Sequence, residues 1–176
     1  GNFMTDRQTI PARLLGGVCA MALTAGLATT TANAQESVKL GALMPMTGDL
    51  AAFGETCYNG VRLAVDQINA AGGLLGSDIE LVLGDTQTLP QPAIDAAQRM
   101  ANVDGVAGII GALSSGNTIP VAQTVGAAEM VPMISPASTS PVISGLDDNG
   151  YLFRTVPSDA YQGVALAEVT MDHSID

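Results

Sequence analysis

Two stretches of this sequence concentrate hydroxyl side chains with no ionisable residue among them. In Gly111-Ala112-Leu113-Ser114-Ser115-Gly116-Asn117-Thr118 an apolar run gives way to a glycine-flanked pair of serines and then to a helical pattern. Hydroxyls and free backbone N–H groups at such a junction can face an anion, and a carboxylate would suit it. Ser135-Pro136-Ala137-Ser138-Thr139-Ser140-Pro141 offers four more hydroxyls, with prolines restricting the backbone around them. Serine and threonine are also good helix caps and turn formers, so a structural use of both stretches stands beside the binding one.

Other residue types narrow the chemistry. Phe53, in Gly48-Asp49-Leu50-Ala51-Ala52-Phe53-Gly54, can cover the apolar part of a ligand or pack into a core. Asp85 can meet an ammonium or cap the helix that follows it, and the structural role is favoured. Of the three tyrosines, Tyr161 can sit near a cleft. The single histidine, His173, lies near the carboxyl end, which leaves the serines without a base for hydrolysis. One histidine and one cysteine outside the leader supply no metal cluster, and the carboxylates show no calcium-loop spacing. The serine loop superficially fits a phosphate loop, but Asn117 stands where that motif needs lysine. No Gly-x-Gly-x-x-Gly follows the first strand, so no nucleotide cofactor is expected.

These loops need a frame. Val38 to Met44, Ile79 to Leu83, Val106 to Ile110, Val131 to Ile134 and Tyr151 to Thr155 are short, nearly continuous apolar runs, which read as strands covered on both faces. Helical patterns alternate with them. Val61, Ala64, Val65 and Ile68 form one stripe that Gly72-Gly73 ends. Gln91 to Asn102 carries Pro92 in its first turn, Thr118 to Ala128 forms a third helix, and a last one begins after Pro157-Ser158-Asp159, capped by Ser158 or Asp159. The order predicts an α/β fold with a Rossmann-like parallel sheet flanked by helices. In such sheets ligands lie at the carboxyl ends of the strands, where both serine-rich loops fall.

The chain has 176 residues and a formal charge of −11, and no Lys/Arg cluster could neutralise a run of phosphates, which argues against nucleic acid. Residues 1–34 read as a secretory signal peptide: Arg7 and Arg13, an apolar run from Leu14 to Ala28, then Ala32-Asn33-Ala34. Cleavage would leave residues 35–176 as an acidic exported domain beginning at Gln35, with Cys57 as its one cysteine. Cys57 reads as a small buried hydrophobe or as the mate of a cysteine beyond Asp176.

The stretches Leu40-Gly41-Ala42-Leu43, Thr47-Gly48, Asn59-Gly60 and Asn69-Ala70-Ala71-Gly72-Gly73-Leu74-Leu75-Gly76 resemble signatures of the type I periplasmic binding proteins that serve branched-chain amino acid ABC transporters. So do the two hydroxyl loops and Phe153-Arg154-Thr155-Val156-Pro157-Ser158-Asp159, all in family order. The resemblance covers nearly all of residues 37–170. It implies two Rossmann-like lobes closing on a ligand, with only the amino-terminal lobe represented here. It further implies that Ser114 and Ser115 bind an α-carboxylate, that the loop of Ala137, Ser138 and Thr139 turns a backbone carbonyl toward the α-ammonium and a threonine hydroxyl toward the ligand's charged end, and that Phe53 occupies the family's aromatic position. The implied protein is a non-catalytic periplasmic receptor without cofactor, binding an amino acid or related amide or carboxylate and docking on an ABC permease. A ligand-sensing domain of a receptor or regulator on the same fold is the alternative. The cysteine pair that family members often carry is absent, with Gln87 and Ser114 near its places.

Overall fold

The computed structural model describes residues 36–173, so the expected leader and its cleavage point lie outside the described residues. Val38–Met44 (β1) pairs in parallel with Ile79–Asp85 (β2) along its whole length, Val38 opposite Ile79 and Met44 opposite Asp85. Ile109–Gly111 (β3), Met133–Ser135 (β4) and Leu152–Arg154 (β5) continue the sheet beyond β1, in the order β2-β1-β3-β4-β5 and parallel throughout. The expected α/β fold is therefore the observed one.

Local chemistry sets the helix ends. Ala51–Ala70 (α1) stops where Gly72 and Gly73 take φ of 107° and 75° and donate to the carbonyls of Asn69 and Ile68. A Cβ on Gly73 would run into the Ser77 carbonyl, so this turn needs glycine on two counts. The Asn69 side chain then donates to the Ile79 carbonyl at 2.9 Å and accepts from its N–H at 2.8 Å, fastening the end of α1 to the start of β2. Pro90–Arg99 (α2) begins on a proline, whose missing N–H costs nothing in the first turn. It runs on through a wider turn at Met100–Asp104, ended by Gly105 at φ 68°. Ser115–Val121 (α3) continues through Ala122–Gly126 into Ala127–Glu129 (α4), and Asp159–Asp172 (α5) follows β5.

The core lies on one face of the sheet, where α2 and α3 pack with Leu43, Ile109 and Met133 beneath them. Gly41 and Gly84 leave a hollow there that the Met100 side chain fills: a Cβ on either would come within 2.8 Å or 2.7 Å of its sulfur or methyl. Small residues facing one flexible thioether explain how a core with few rings still packs closely.

The opposite face departs from expectation. Ala42, Ile110, Ile134 and Phe153 stand in register on it. Helix α1 packs there mainly against β1 and β2. Ile134 and Phe153 consequently stay 39% and 55% exposed, and α5 buries no residue, so β4 and β5 are covered on one face rather than two. A continuous apolar run states that a strand is hydrophobic, not that a helix of the same segment reaches it.

Element bounds shift for physical reasons. β2 extends through Gly84 to Asp85 because β1 pairs with it to the end. The segment before β3 is already laddered to β1 through Ala107 N–H to Lys39 at 2.8 Å and Gly41 N–H to Gly108 at 2.9 Å, although the regular strand starts at Ile109. Pro132, which has no N–H, delays β4 to Met133.

Candidate ligand-binding cleft

The loops at the carboxyl ends of β1, β3 and β4 enclose a cleft of about 390 Å³. Its wall is formed by Leu50 just before α1, Phe53 and Cys57 from α1, Leu113 and Ser114 from the β3 loop, Ser115 at the start of α3, and Ala137 and Thr139 from the β4 loop. Five of the expected site residues, Phe53, Ser114, Ser115, Ala137 and Thr139, thus share one cavity.

Each polar atom has a definable capacity. Ser115 is the first residue of α3, three residues before the helix start expected at Thr118, so the N–H groups here precede the intrahelical ladder. Its hydroxyl oxygen accepts from the Ser140 N–H at 3.2 Å, which leaves the hydroxyl proton to donate elsewhere and ties the two loops together. The Ser114 hydroxyl has no partner among the described residues. Across the cleft, the Ala137 carbonyl receives no hydrogen bond among the described residues. The β3 loop therefore presents donors, the β4 loop presents an open carbonyl beside the Thr139 N–H, which has no partner among the described residues, and no wall residue is ionisable apart from the Cys57 thiol.

Ser138 has a different place. It is fully buried, and its hydroxyl lies 2.7 Å from the Ser135 hydroxyl, 2.8 Å from that of Thr118 and 3.1 Å from the Leu113 carbonyl. Ser135 and Thr118 both donate to the Ala112 carbonyl, at 2.6 Å and 3.0 Å. This buried hydroxyl cluster pins the β3 and β4 loops from beneath, so the Ser138 side chain faces the interior rather than the cleft. Ala137 and Thr139 line the cleft, whereas Ser138 between them is buried beneath it.

Asp85 also serves structure. Its carboxylate accepts from Met46 N–H at 2.9 Å, Thr47 N–H at 3.1 Å, the Thr47 hydroxyl at 2.7 Å and Gln87 N–H at 2.8 Å. Partial burial pushes its pKa up, but the bonds from the Thr47 hydroxyl and the three N–H groups together outweigh this and hold it below the usual carboxylate value. It closes the loop that carries Leu50, outside the cleft wall. Tyr161 is 73% exposed on α5 and does not line the cleft either.

Phe53 sits in the first turn of α1 rather than in a loop, 65% exposed at the cleft mouth. The sequence reading missed Leu50, Cys57 and Leu113 as wall residues. The spacing of Leu50, Phe53 and Cys57 by three and four would have grouped them, had the helix been started at Ala51. Cys57 is half-buried and unpaired, and among the described residues no group of three or more His, Cys, Asp or Glu could hold a metal.

The family model described as periplasmic binding protein matches residues 37–174. The chain is 36% identical to "Leu/Ile/Val-binding protein homolog 2" of Brucella abortus, over 93% of this chain and 42% of that protein. It is 33% identical to "Amino acid binding protein" of Pseudomonas aeruginosa, over 86% of this chain and 40% of that one. Among solved structures, LivJ of Streptococcus pneumoniae, a branched-chain amino acid transporter substrate-binding protein in complex with isoleucine, superposes with TM-score 0.65 at 33% identity, covering 70% of this chain and 35% of that one. The chain thus spans about two-fifths of the length of the curated relatives it matches. On the strength of that match, which runs through every described strand and both hydroxyl loops, the chain belongs to the periplasmic binding protein family.

Proposed function

We propose that residues 35–176 form the amino-terminal ligand-binding lobe of a non-catalytic solute receptor that takes a small amino acid of the branched-chain type, or a related carboxylate or amide. The observation that carries this reading is the polarity of the cleft: hydroxyl and N–H donors at Ser114 and Ser115 on one side, the open Ala137 carbonyl and Thr139 on the other. An α-amino acid has the complementary pattern, a carboxylate that accepts and an ammonium that donates, about one small group apart. Phe53 and Leu50 then meet its side chain, because an exposed ring and an aliphatic group gain by covering apolar surface.

The receptor is exported behind the leader of residues 1–34 and works in the periplasm. A second lobe closes over the ligand, and the closed form docks on an ABC permease. Ligand binding drives closure because the ligand touches both lobes only in the closed state. One lobe alone leaves half of a ligand in water, so the chain as it stands binds weakly, with Kd of roughly millimolar or above.

The test is an NMR titration of this chain with leucine, isoleucine and valine. The expected result is shifts confined to Ser114, Ser115, Ala137, Thr139 and Phe53, and weakening of about fivefold or more on Ser115→Ala, the size of one charge-assisted hydrogen bond. Shifts centred elsewhere, or none at saturating ligand, overturn the reading.

A further inference from the structure

Strand β2 closes one end of the sheet, and most of its outer edge is bare. Val38 N–H donates to the Asp78 carbonyl and Thr86 N–H to the Met44 carbonyl, so in this parallel ladder the even-numbered residues of β2 face β1. The odd-numbered ones turn their backbone outward. Asn69 satisfies both outward groups of Ile79, but the N–H and C=O of Leu81 and Leu83 have no partner among the described residues. Between Ile79 and Asp85 there is no proline, lysine or bulge, the usual protections of an edge strand.

Beside this edge, on the α2 face of the sheet, lies a groove of about 220 Å³ whose lining includes Val82, Gly84, Ala96, Arg99, Met100 and Asp104. None of these residues belongs to the cleft wall. The Arg99 side chain is 75% exposed there and meets Asp104 only at 3.6 Å, so its guanidinium has donors to spare. Glu80, also exposed, projects on the same face as Val82 and Gly84 because side chains alternate along a strand.

We propose that the β2 edge is a self-association surface, on which a second copy of this chain adds its own β2 antiparallel across a two-fold axis at Val82. That register sets Leu81 opposite the partner's Leu83, and the reverse, so the free N–H and C=O groups satisfy one another and the two sheets become one. Val82 meets the partner's Val82 at the axis, an apolar cross-strand pair. Charge favours the same register. Glu80 falls opposite the partner's Gly84, which offers no side chain, and beside the partner's Arg99, so an ion pair forms on each side of the axis. The formal charge of −11 opposes association at long range, but at physiological ionic strength charges beyond about 8 Å are screened and the contact pairs decide.

Sedimentation velocity of the full chain over a wide concentration range tests this, with a monomer–dimer equilibrium expected. Arg99→Glu and Glu80→Arg should each weaken it about tenfold, since each replaces both ion pairs by like charges. Mixed in equal amounts the two variants should recover dimers, because opposite charges then face each other at both contacts. Amide exchange at Leu81 and Leu83 should slow as the concentration of the unsubstituted chain rises. A chain that stays monomeric throughout overturns the inference. So does a dimer that neither variant weakens, which would place the contact elsewhere, for example on the open face at Ile134 and Phe153. A mixture of folded variants that remains monomeric overturns it as well. None of these outcomes bears on the amino-acid reading of the cleft.

Discussion

Ser135→Ala isolates the buried hydroxyl cluster from the ligand. Ser135 is fully buried, and its hydroxyl touches the Ala112 carbonyl at 2.6 Å and the Ser138 hydroxyl at 2.7 Å while accepting from the Ser138 N–H at 3.1 Å. Truncation removes hydrogen bonds worth about 1 kcal/mol net each, and it orphans the buried Ser138 N–H at a further cost of about 1–3 kcal/mol. The Ala112 carbonyl keeps Thr118, which limits the loss. The expected destabilisation is about 2–4 kcal/mol, or roughly 6–12 °C in Tm for a domain of this size. Ser115→Ala is the internal control: it gives up one half-exposed bond to the Ser140 N–H at 3.2 Å, worth about 0.5–1 kcal/mol. Urea unfolding followed by far-UV circular dichroism measures both. If Ser135→Ala lies within about 0.5 kcal/mol of the unsubstituted chain, or Ser115→Ala is the more damaging, the two loops are not held together from beneath as described.

Two further substitutions probe the frame. Asp85→Asn should cost about 1 kcal/mol near neutral pH, since the amide cannot serve four donors as a carboxylate does. The Asp85 pKa is lower folded than unfolded, so its contribution is present above the unfolded pKa and fades as pH falls through the folded one. The stability gap between Asp85→Asn and the original should accordingly be widest above about pH 4 and close below it; a gap independent of pH in an acid titration counts against this. Gly54→Ala should destabilise by about 1–3 kcal/mol despite alanine's better helix propensity, because its Cβ would meet the Pro45 carbonyl, which cannot rotate away. A chemical melt showing Gly54→Ala to be neutral or stabilising would mean that α1 does not approach the end of β1 so closely.

Much of the frame was legible because its signals are local. The apolar run Val38–Met44 is a strand on its own terms, Gly72-Gly73 ends a helix wherever it occurs, and Ser158 caps α5 by accepting from the Ala160 N–H, as the Pro157-Ser158-Asp159 step suggested. The strand ends were less legible, since Asp85 and the Ala107-Gly108 pair are fixed by what β1 offers across the sheet.

The division at the cleft has the same origin. Residue types and the strand-loop-helix order by themselves determined the parallel sheet and the hydroxyl loops that meet at its crest, because period and turn chemistry are properties of neighbouring residues. Which hydroxyls face the cleft was decided only in three dimensions. Ser115 and Thr139 reach it while Ser135 and Ser138 turn inward. A serine's role depends on which carbonyl from a distant strand lies within hydrogen-bond reach, and Ala112, more than twenty residues away from both, is that partner.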